Sequence, residues 1–317
     1  MKVGLLSFAH VHATGYAALL ARRPDVELRT ADPERPETAD LDSYDELFAW
    51  GPDAVIVTTE NSRHRELTEL AARHGADVLC EKPLATTAAD AEAMIAACAA
   101  AGVRLAVAYP VRFSPAYRAL RAAVRDGGSG QVLAVMGANN GHLPTGRRPW
   151  FTDRELAGGG SLMDHTVHIA DLLDDLFPQT RAVSVYAQAN NLLYAGSVDV
   201  ETAGLVTVTY GNGTVATIDC SWSQPLHRQP WGGLELKVVT ERATMELDIF
   251  GQQVTGYSEA RRAGISLPWG TNLDEELLSA FLSGSAAVAD GESGLRSLRI
   301  ALAGYASLRE GQPVPVG

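Results

Sequence analysis

Up to about residue 110 the chain alternates short apolar runs with amphipathic stretches, the pattern of parallel strands joined by covering helices. Strands are predicted at 3–7, 26–31, 54–59, 77–80 and 104–108. The run Ala54, Val55, Ile56, Val57 is continuously apolar, as a strand covered on both faces must be. Ser62 is placed to cap a helix that stops at Gly75. Thr87 with Asp90 forms a capping-box pattern on a helix that stops at Gly102. A right-handed βαβ wind is the expected result.

Beyond a predicted helix at 115–125 the pattern changes to successive strands at 131–138, 182–189, 202–210, 214–222, 234–239, 244–249 and 252–258. Tyr210-Gly211-Asn212-Gly213 separates two alternating runs and reads as a hairpin loop, so these strands are expected to run antiparallel. A strong helix at 162–176 and closing helices at 273–282 and 295–309 make the second half α+β. The expected division is an α/β domain over 1–118 and an α+β domain over 119–317, the latter with a large, mostly antiparallel sheet. A sheet of that breadth hides only one face beneath helices, and Leu205, Thr207 and Thr209 alternate with Val206, Val208 and Tyr210. The other face is therefore expected to build a homodimer or homotetramer.

Composition excludes several classes of partner. The net charge of -12 repels phosphate backbones, and the Arg22-Arg23 and Arg147-Arg148 pairs make no basic face, so no nucleic acid is expected. The apolar run that opens the chain meets polar and histidine residues too soon for a secretory core or a membrane span. Cys80, Cys98 and Cys220 are odd in number and lack metal-ligand spacing, which fits a reducing cytoplasm without disulfides.

Three stretches carry chemistry. A first strand entering a helix binds a dinucleotide through a Gly-x-Gly-x-x-Gly turn, but Ser7, Ala9 and His12 stand at those positions. Asp32 ends the second strand, where a carboxylate can accept from adenosine ribose hydroxyls or simply form a turn before Pro33. Lys82, in Glu81-Lys82-Pro83, emerges at the carboxyl edge of the sheet, where it donates to a substrate oxygen or is merely solvated. From Gly158 to Asp171 a glycine run precedes a helix that Ser161 can cap. Asp164, His168 and Asp171 fall on one face of that helix, and an Asp164–His168 pair suits either a helix cap or proton transfer. Arg112, His142, Trp150 and His165 are candidate pocket walls or packing residues.

Together these stretches resemble the glucose-fructose oxidoreductase, inositol dehydrogenase and MocA family (Gfo/Idh/MocA). The resemblance is carried by Asp53 to Thr59 with Asn61 and His64, by Glu81-Lys82-Pro83, by Val111 to Tyr117, by Gly158 to Asp171 and by Glu310 to Val314. It implies a Rossmann domain followed by an α+β domain, with Lys82, Asp164 and His168 as the catalytic set. It also implies a cofactor site over Ser7, Ala9, His10, His12, Asp32, Thr58, Thr59, Asn61, His64, Glu81 and Lys82, with no metal ligand. NAD or NADP is the implied cofactor, Asp32 favouring NAD and Arg35 favouring the 2'-phosphate of NADP. The implied reaction is oxidation or reduction of a sugar, cyclitol or related polyol. The chain departs from the family pattern at the glycine fingerprint, at Glu60 in place of proline and at Thr166 in place of glycine.

Two other classes compete. A ligand sensor that keeps the fold without turnover fits the lost fingerprint. A metal-dependent hydrolase fits His10-Val11-His12 after a first strand, since that spacing lets two imidazoles share a metal, but it requires further ligands on the strands of a closed barrel.

Overall fold

The computed structural model describes the chain except residues 145, 147, 229–231, 252, 259–262 and 269, with backbone alone for 253–258 and 263–268. Arg147 of the Arg147-Arg148 pair and Gln252 of the expected strand 252–258 lie outside the described residues.

In chain order the elements begin with β1 (Lys2–Leu6), α1 (Ala13–Leu20), β2 (Glu27–Ala31), α2 (Tyr44–Ala49), β3 (Ala54–Val57) and α3 (His64–Arg73). They continue with β4 (Asp77–Cys80), α4 (Ala88–Ala101), β5 (Leu105–Val107), α5 (Pro115–Arg125), β6 (Val132–Gly141), α6 (Arg154–Ala157) and α7 (Ser161–Leu176). Then follow β7 (Ala182–Asn190), β8 (Ala203–Tyr210), β9 (Val215–Asp219), β10 (Gly232–Thr240), β11 (Thr244–Asp248), β12 (Gln253–Ser258) and β13 (Ala263–Pro268). The chain closes with α8 (Leu273–Leu282), β14 (Ala289–Asp290), α9 (Gly291–Glu310) and β15 (Val314–Pro315).

Two compact units emerge. The first comprises Met1–Pro110, Thr145–Gly158 and Asp274–Leu298, and the second Val111–Pro144, Gly159–Leu273 and Arg299–Gly317. The single boundary expected near residue 118 is thus replaced by several crossings. Long-range pairing is the reason: β14 joins β5 antiparallel, and the Trp150 indole donates to the Ala9 carbonyl (3.0 Å).

The first unit holds an open sheet in the order β14-β5-β4-β3-β1-β2, parallel except at β14. Among the described residues this sheet does not close into the barrel that the hydrolase reading requires. Every residue of β3 is buried, which explains its uninterrupted apolar run. Thr87 caps α4 by accepting from the Asp90 amide (3.1 Å), and Gly102 ends it at φ 69°, as the sequence predicts. Ser62 does not cap α3: residues Asn61–Arg63 form a short 3-10 turn, and Arg63 precedes the helix without a side-chain cap.

In the second unit the order is β11-β10-β6-β9-β8-β7-β15, and only β6 with β9 is parallel. The β8–β9 turn closes through Gly213 N–H to the Tyr210 carbonyl (2.9 Å), as the glycine-rich loop predicts. Helix α7 covers one face of this sheet. A Cβ on Gly137 of β6 would come within 2.9 Å of Ile169, so glycine is what lets the helix approach. Val206, Val208 and Tyr210 are buried while Leu205 is 52% exposed, so the expected alternation between faces holds in β8.

Asp171 of α7 does not share the open face with His168. It is fully buried in a two-pronged ion pair with Arg112, Nε to Oδ2 at 2.8 Å and Nη2 to Oδ1 at 2.7 Å. Arg112 is therefore a structural partner of α7, fixed through both prongs of its guanidinium. Replacing Asp171 with alanine leaves a buried guanidinium without its counter-charge, and a loss of about 3–5 kcal/mol in urea denaturation is expected. A loss below about 1 kcal/mol, the level of an exposed pair, would show that the ion pair does not hold the helix.

Candidate functional site

The β1–α1 turn lies at the carboxyl end of β1, which has β2 on one side and β3 on the other. This is the topological switch point at which open α/β sheets bind ligands. Ser7 adopts φ 77°, the left-handed conformation that a first fingerprint glycine takes without steric cost. Hydrogen bonds hold it there: its hydroxyl accepts from the Ala9 amide (3.1 Å) and donates to Asp32 Oδ2 (3.2 Å). The Thr58 hydroxyl donates to the Ser7 carbonyl (2.7 Å), and the His10 amide donates to the Thr58 carbonyl (2.9 Å). The left-handed turn is thus formed and braced without the glycines.

Asp32 departs from expectation. It has no exposed surface; Oδ2 also accepts from the Phe8 amide (2.7 Å), and Oδ1 accepts from the amides of Glu34 and Arg35 (3.0 and 3.2 Å). Its carboxylate thus braces the turn at four points. Arg35 flanks it at 3.5 Å and reaches Glu60 at 3.7 Å.

Glu81 follows β4 and is fully buried. Burial raises its carboxyl, but the charges of His10 and His12, the His12 hydrogen bond and Lys82 bring it well below the ordinary value. His12 Nδ1 lies 2.9 Å from Glu81 Oε1, and His10 Nδ1 lies 3.6 Å from the same oxygen. Burial lowers His12, yet Glu81 outweighs it and holds the imidazole above its usual range. The Lys82 amide donates to Glu81 Oε2 (3.2 Å), and Lys82-Pro83 is a cis peptide.

His64 and Asn61 were expected at the cofactor. His64 is fully buried instead, with Nδ1–H donating to the Pro83 carbonyl (3.0 Å), so it seats the loop that carries Lys82. Asn61 donates from Nδ2 to the Ala157 carbonyl (2.9 Å). Thr58 and Thr59 are also fully buried, Thr58 as a tie between the ends of β1 and β3. The Ala9 carbonyl accepts from Arg148 Nε (2.9 Å) as well as from Trp150. Arg148 and Trp150 thus fasten the first turn from a segment far along the chain.

In the second unit the glycine run seats the start of α7. A Cβ on Gly159 would meet the Tyr305 hydroxyl at 1.8 Å, and one on Gly160 the Glu201 carbonyl at 2.1 Å. Ser161 does not cap the helix. Gly160 stands at the cap, and Glu201 serves as the acceptor: Oε1 takes the amides of Gly160 (2.9 Å) and Leu162 (3.2 Å), and the Tyr305 hydroxyl (2.6 Å). A carboxylate supplied from another strand end satisfies donors that a helix start leaves open. Asp164 accepts from the Trp222 indole (3.0 Å) and lies 3.2 Å from His165 Nε2. His165 is therefore also a partner of Asp164. Between Ser161 and Leu173 only Asp164 and His168 escape full burial, and they lie one turn apart.

Glu201, Tyr305 and Trp222 carry no local motif and are missed by sequence reasoning. The signal available for them is the glycine run itself, which implies close neighbours without naming them.

His64 provides a pH test. Burial depresses its pKa from the ordinary 6.5, so below that pH the unfolded chain binds a proton that the folded chain refuses. Stability is expected to fall as pH drops through about 6.5 and to be regained above it. His12 titrates with the opposite sign, so the wild type must be compared with His64→Gln across that range. The variant should lack the acid-side loss, and parallel Tm curves for the two proteins would refute the assignment.

Comparison with known proteins agrees with this geometry. Residues 8–109 match the family model described as oxidoreductase family, NAD-binding Rossmann fold, and residues 117–246 match the GFO/IDH/MocA C-terminal domain. The 1,5-anhydro-D-fructose reductase of Ensifer adhaerens is 34% identical over 271 residues, 83% of this chain and 80% of that protein. The D-apiose dehydrogenase of Paraburkholderia graminis is 28% identical over 284 residues, 83% of this chain and 72% of that one. Among solved structures, GenD2 from gentamicin A biosynthesis in complex with NAD superposes with a TM-score of 0.88 at 22% identity, covering 100% of this chain and 96% of that one. With two family domains in sequence and a relative at this identity over most of its length, the chain belongs to the Gfo/Idh/MocA family of NAD(P)-dependent oxidoreductases.

Proposed function

We propose that the protein is a dehydrogenase or reductase of a sugar, cyclitol or related polyol, with His168 as acid and base, Asp164 as its electrostatic support and Lys82 as the group that stabilises the substrate oxygen. One observation carries this reading: Asp164 and His168 are the two partly exposed positions in an otherwise buried start of α7, a placement that packing alone does not favour for a titratable pair. Curated relatives that act on 1,5-anhydro-D-fructose and on D-apiose support the substrate class.

The bound nicotinamide supplies the hydride acceptor or donor. The protein's part in alcohol oxidation is to remove the hydroxyl proton near neutral pH. An imidazole nitrogen of His168 accepts it, since imidazole titrates in that range. Asp164, held by Trp222 and His165, sets a fixed negative charge one turn away that favours the protonated ring. The Lys82 ammonium stabilises the developing alkoxide, and in the reductive direction it polarises the carbonyl oxygen. Ser7, Ala9, His10 and His12 line the first turn, against which the cofactor would lie, bounded by Thr58, Thr59 and Glu81.

The test has two arms. His168→Ala should slow turnover of an identified polyol roughly a hundredfold or more while NAD(P)H binding, followed by fluorescence, is unchanged. Full activity in the variant removes His168 from the mechanism, and binding of sugars without any turnover by the wild type favours a sensor. Titration with both cofactors decides selectivity: Asp32 favours NAD, whereas equal or tighter binding of NADP means that Arg35 outweighs it.

The open sheet face also supports self-association. Leu205, Val183, Met136 and Val215 are exposed apolar residues on β8, β7, β6 and β9 of the single chain. A homodimer or homotetramer through this face is expected, and light scattering at micromolar concentration checks it. A monomeric mass would show that the face stays open.

A further inference from the structure

We infer that His10, His12 and Glu81 form a binding site for a divalent transition-metal cation of the zinc type, in addition to the cofactor and substrate sites. The three residues each offer one ligand atom, and these atoms all lie within 4.8 Å of one another. The inference departs from the expectation of no metal ligand, and it does not depend on what the substrate proves to be.

The geometry is close to what such an ion demands. Zinc–nitrogen and zinc–oxygen bonds near 2.0–2.1 Å place neighbouring ligands of a tetrahedron about 3.3 Å apart. The Glu81 Oε1 distances to His12 Nδ1 and His10 Nδ1 are 2.9 and 3.6 Å, on either side of that value. A simple ion pair requires one imidazole against the carboxylate. Here a second imidazole, His10, whose Nδ1 also accepts from the His12 amide (3.3 Å), lies 3.6 Å from the same oxygen and supplies the third donor.

The surroundings favour a cation. Glu81 has no exposed surface and His10 is 1% exposed, so both sit in a medium where opposite charges attract strongly. The Lys82 amide holds Glu81 Oε2, which leaves Oε1 directed at the imidazoles, as outer hydrogen bonds commonly orient metal-ligating carboxylates. The aromatic rings of Phe151 and Trp150 stand 5.4 and 6.2 Å from the His10 ring and wall the cluster. Two imidazoles and one carboxylate suit zinc, cobalt or nickel better than the oxygen-preferring magnesium or calcium. Three protein ligands leave a fourth position open.

Backbone and side chains of the first turn thereby serve different purposes. The amides of Phe8, Ala9 and His10 brace the turn itself, while the His10 and His12 rings lie against Glu81. An ion there would staple this turn to the Glu-Lys-Pro loop and hold Lys82 next to it.

The experiment uses the full chain, stripped with a chelator and then titrated with Co2+ and with Zn2+. One Co2+ per chain should bind with the visible d–d absorption of a low-coordinate site, Zn2+ should displace it, and the Tm should rise with occupancy. His10→Gln, His12→Gln and Glu81→Gln should each weaken binding by about tenfold or more, a floor taken from losses seen on removing groups that only orient metal ligands. His74→Gln, whose ring stacks on Phe48 in the same unit, should bind as the wild type does. Far-UV circular dichroism identifies any variant that has not folded, and the remaining single variants then decide. No saturable binding by the wild type, or unchanged binding in the folded variants, overturns the site. Because the readout is metal binding and not turnover, its failure leaves the dehydrogenase reading intact.

Discussion

The Glu81 carboxylate, fully buried at the end of β4, is the constraint around which the first unit is organised. Removing an ionised carboxylate from water costs several kcal/mol unless charge and hydrogen bonds are supplied in its place. The protein supplies them with the His10 and His12 imidazoles and the Lys82 amide. That requirement dictates the path of the chain on both sides. It draws the residues after β1 inward to bring two rings to the carboxylate, and it fixes the backbone immediately before Lys82. His64 then seats the next peptide by donating to Pro83. The position of the lysine expected to meet substrate oxygen therefore follows from the need to satisfy its neighbour.

A similar logic governs the start of α7. A helix beginning beneath packed residues leaves amides that must find acceptors. Glu201 meets two of them through one oxygen and takes the Tyr305 hydroxyl on the same atom. Gly159 and Gly160 are required because Tyr305 and the Glu201 carbonyl occupy the space where a Cβ would sit. The glycine run therefore anchors the helix on which Asp164 and His168 are displayed, and the rigidity of that anchor fixes where they point.

Departure from the fingerprint also has a physical account. A glycine tolerates φ 77° without cost, whereas Ser7 is strained there and needs compensation. Asp32 provides it by accepting from the Ser7 hydroxyl and the Phe8 amide. A sequence reading that treats position 7 and position 32 separately sees a missing glycine and a present acid. The structure shows the two positions bonded to each other, with the acid stabilising the turn.

Local periodicity and capping determined the elements: α5 and α8 span the predicted residues, the Thr87–Gly102 helix ends as its caps require, and β8 alternates as read. These succeed because side-chain direction in a strand or helix is set by the backbone period alone. Pairings between residues far apart in sequence were decided only by the tertiary structure. Arg112 with Asp171, Glu201 at the start of α7, Trp150 on the Ala9 carbonyl and β14 beside β5 leave no periodic trace. The face of α7 was legible as a stripe holding Asp164, His168 and Asp171, but which member stays open was not. Nothing in the spacing reveals that a guanidinium 59 residues away buries Asp171, since a charge's partner is chosen by proximity in space and not by order along the chain.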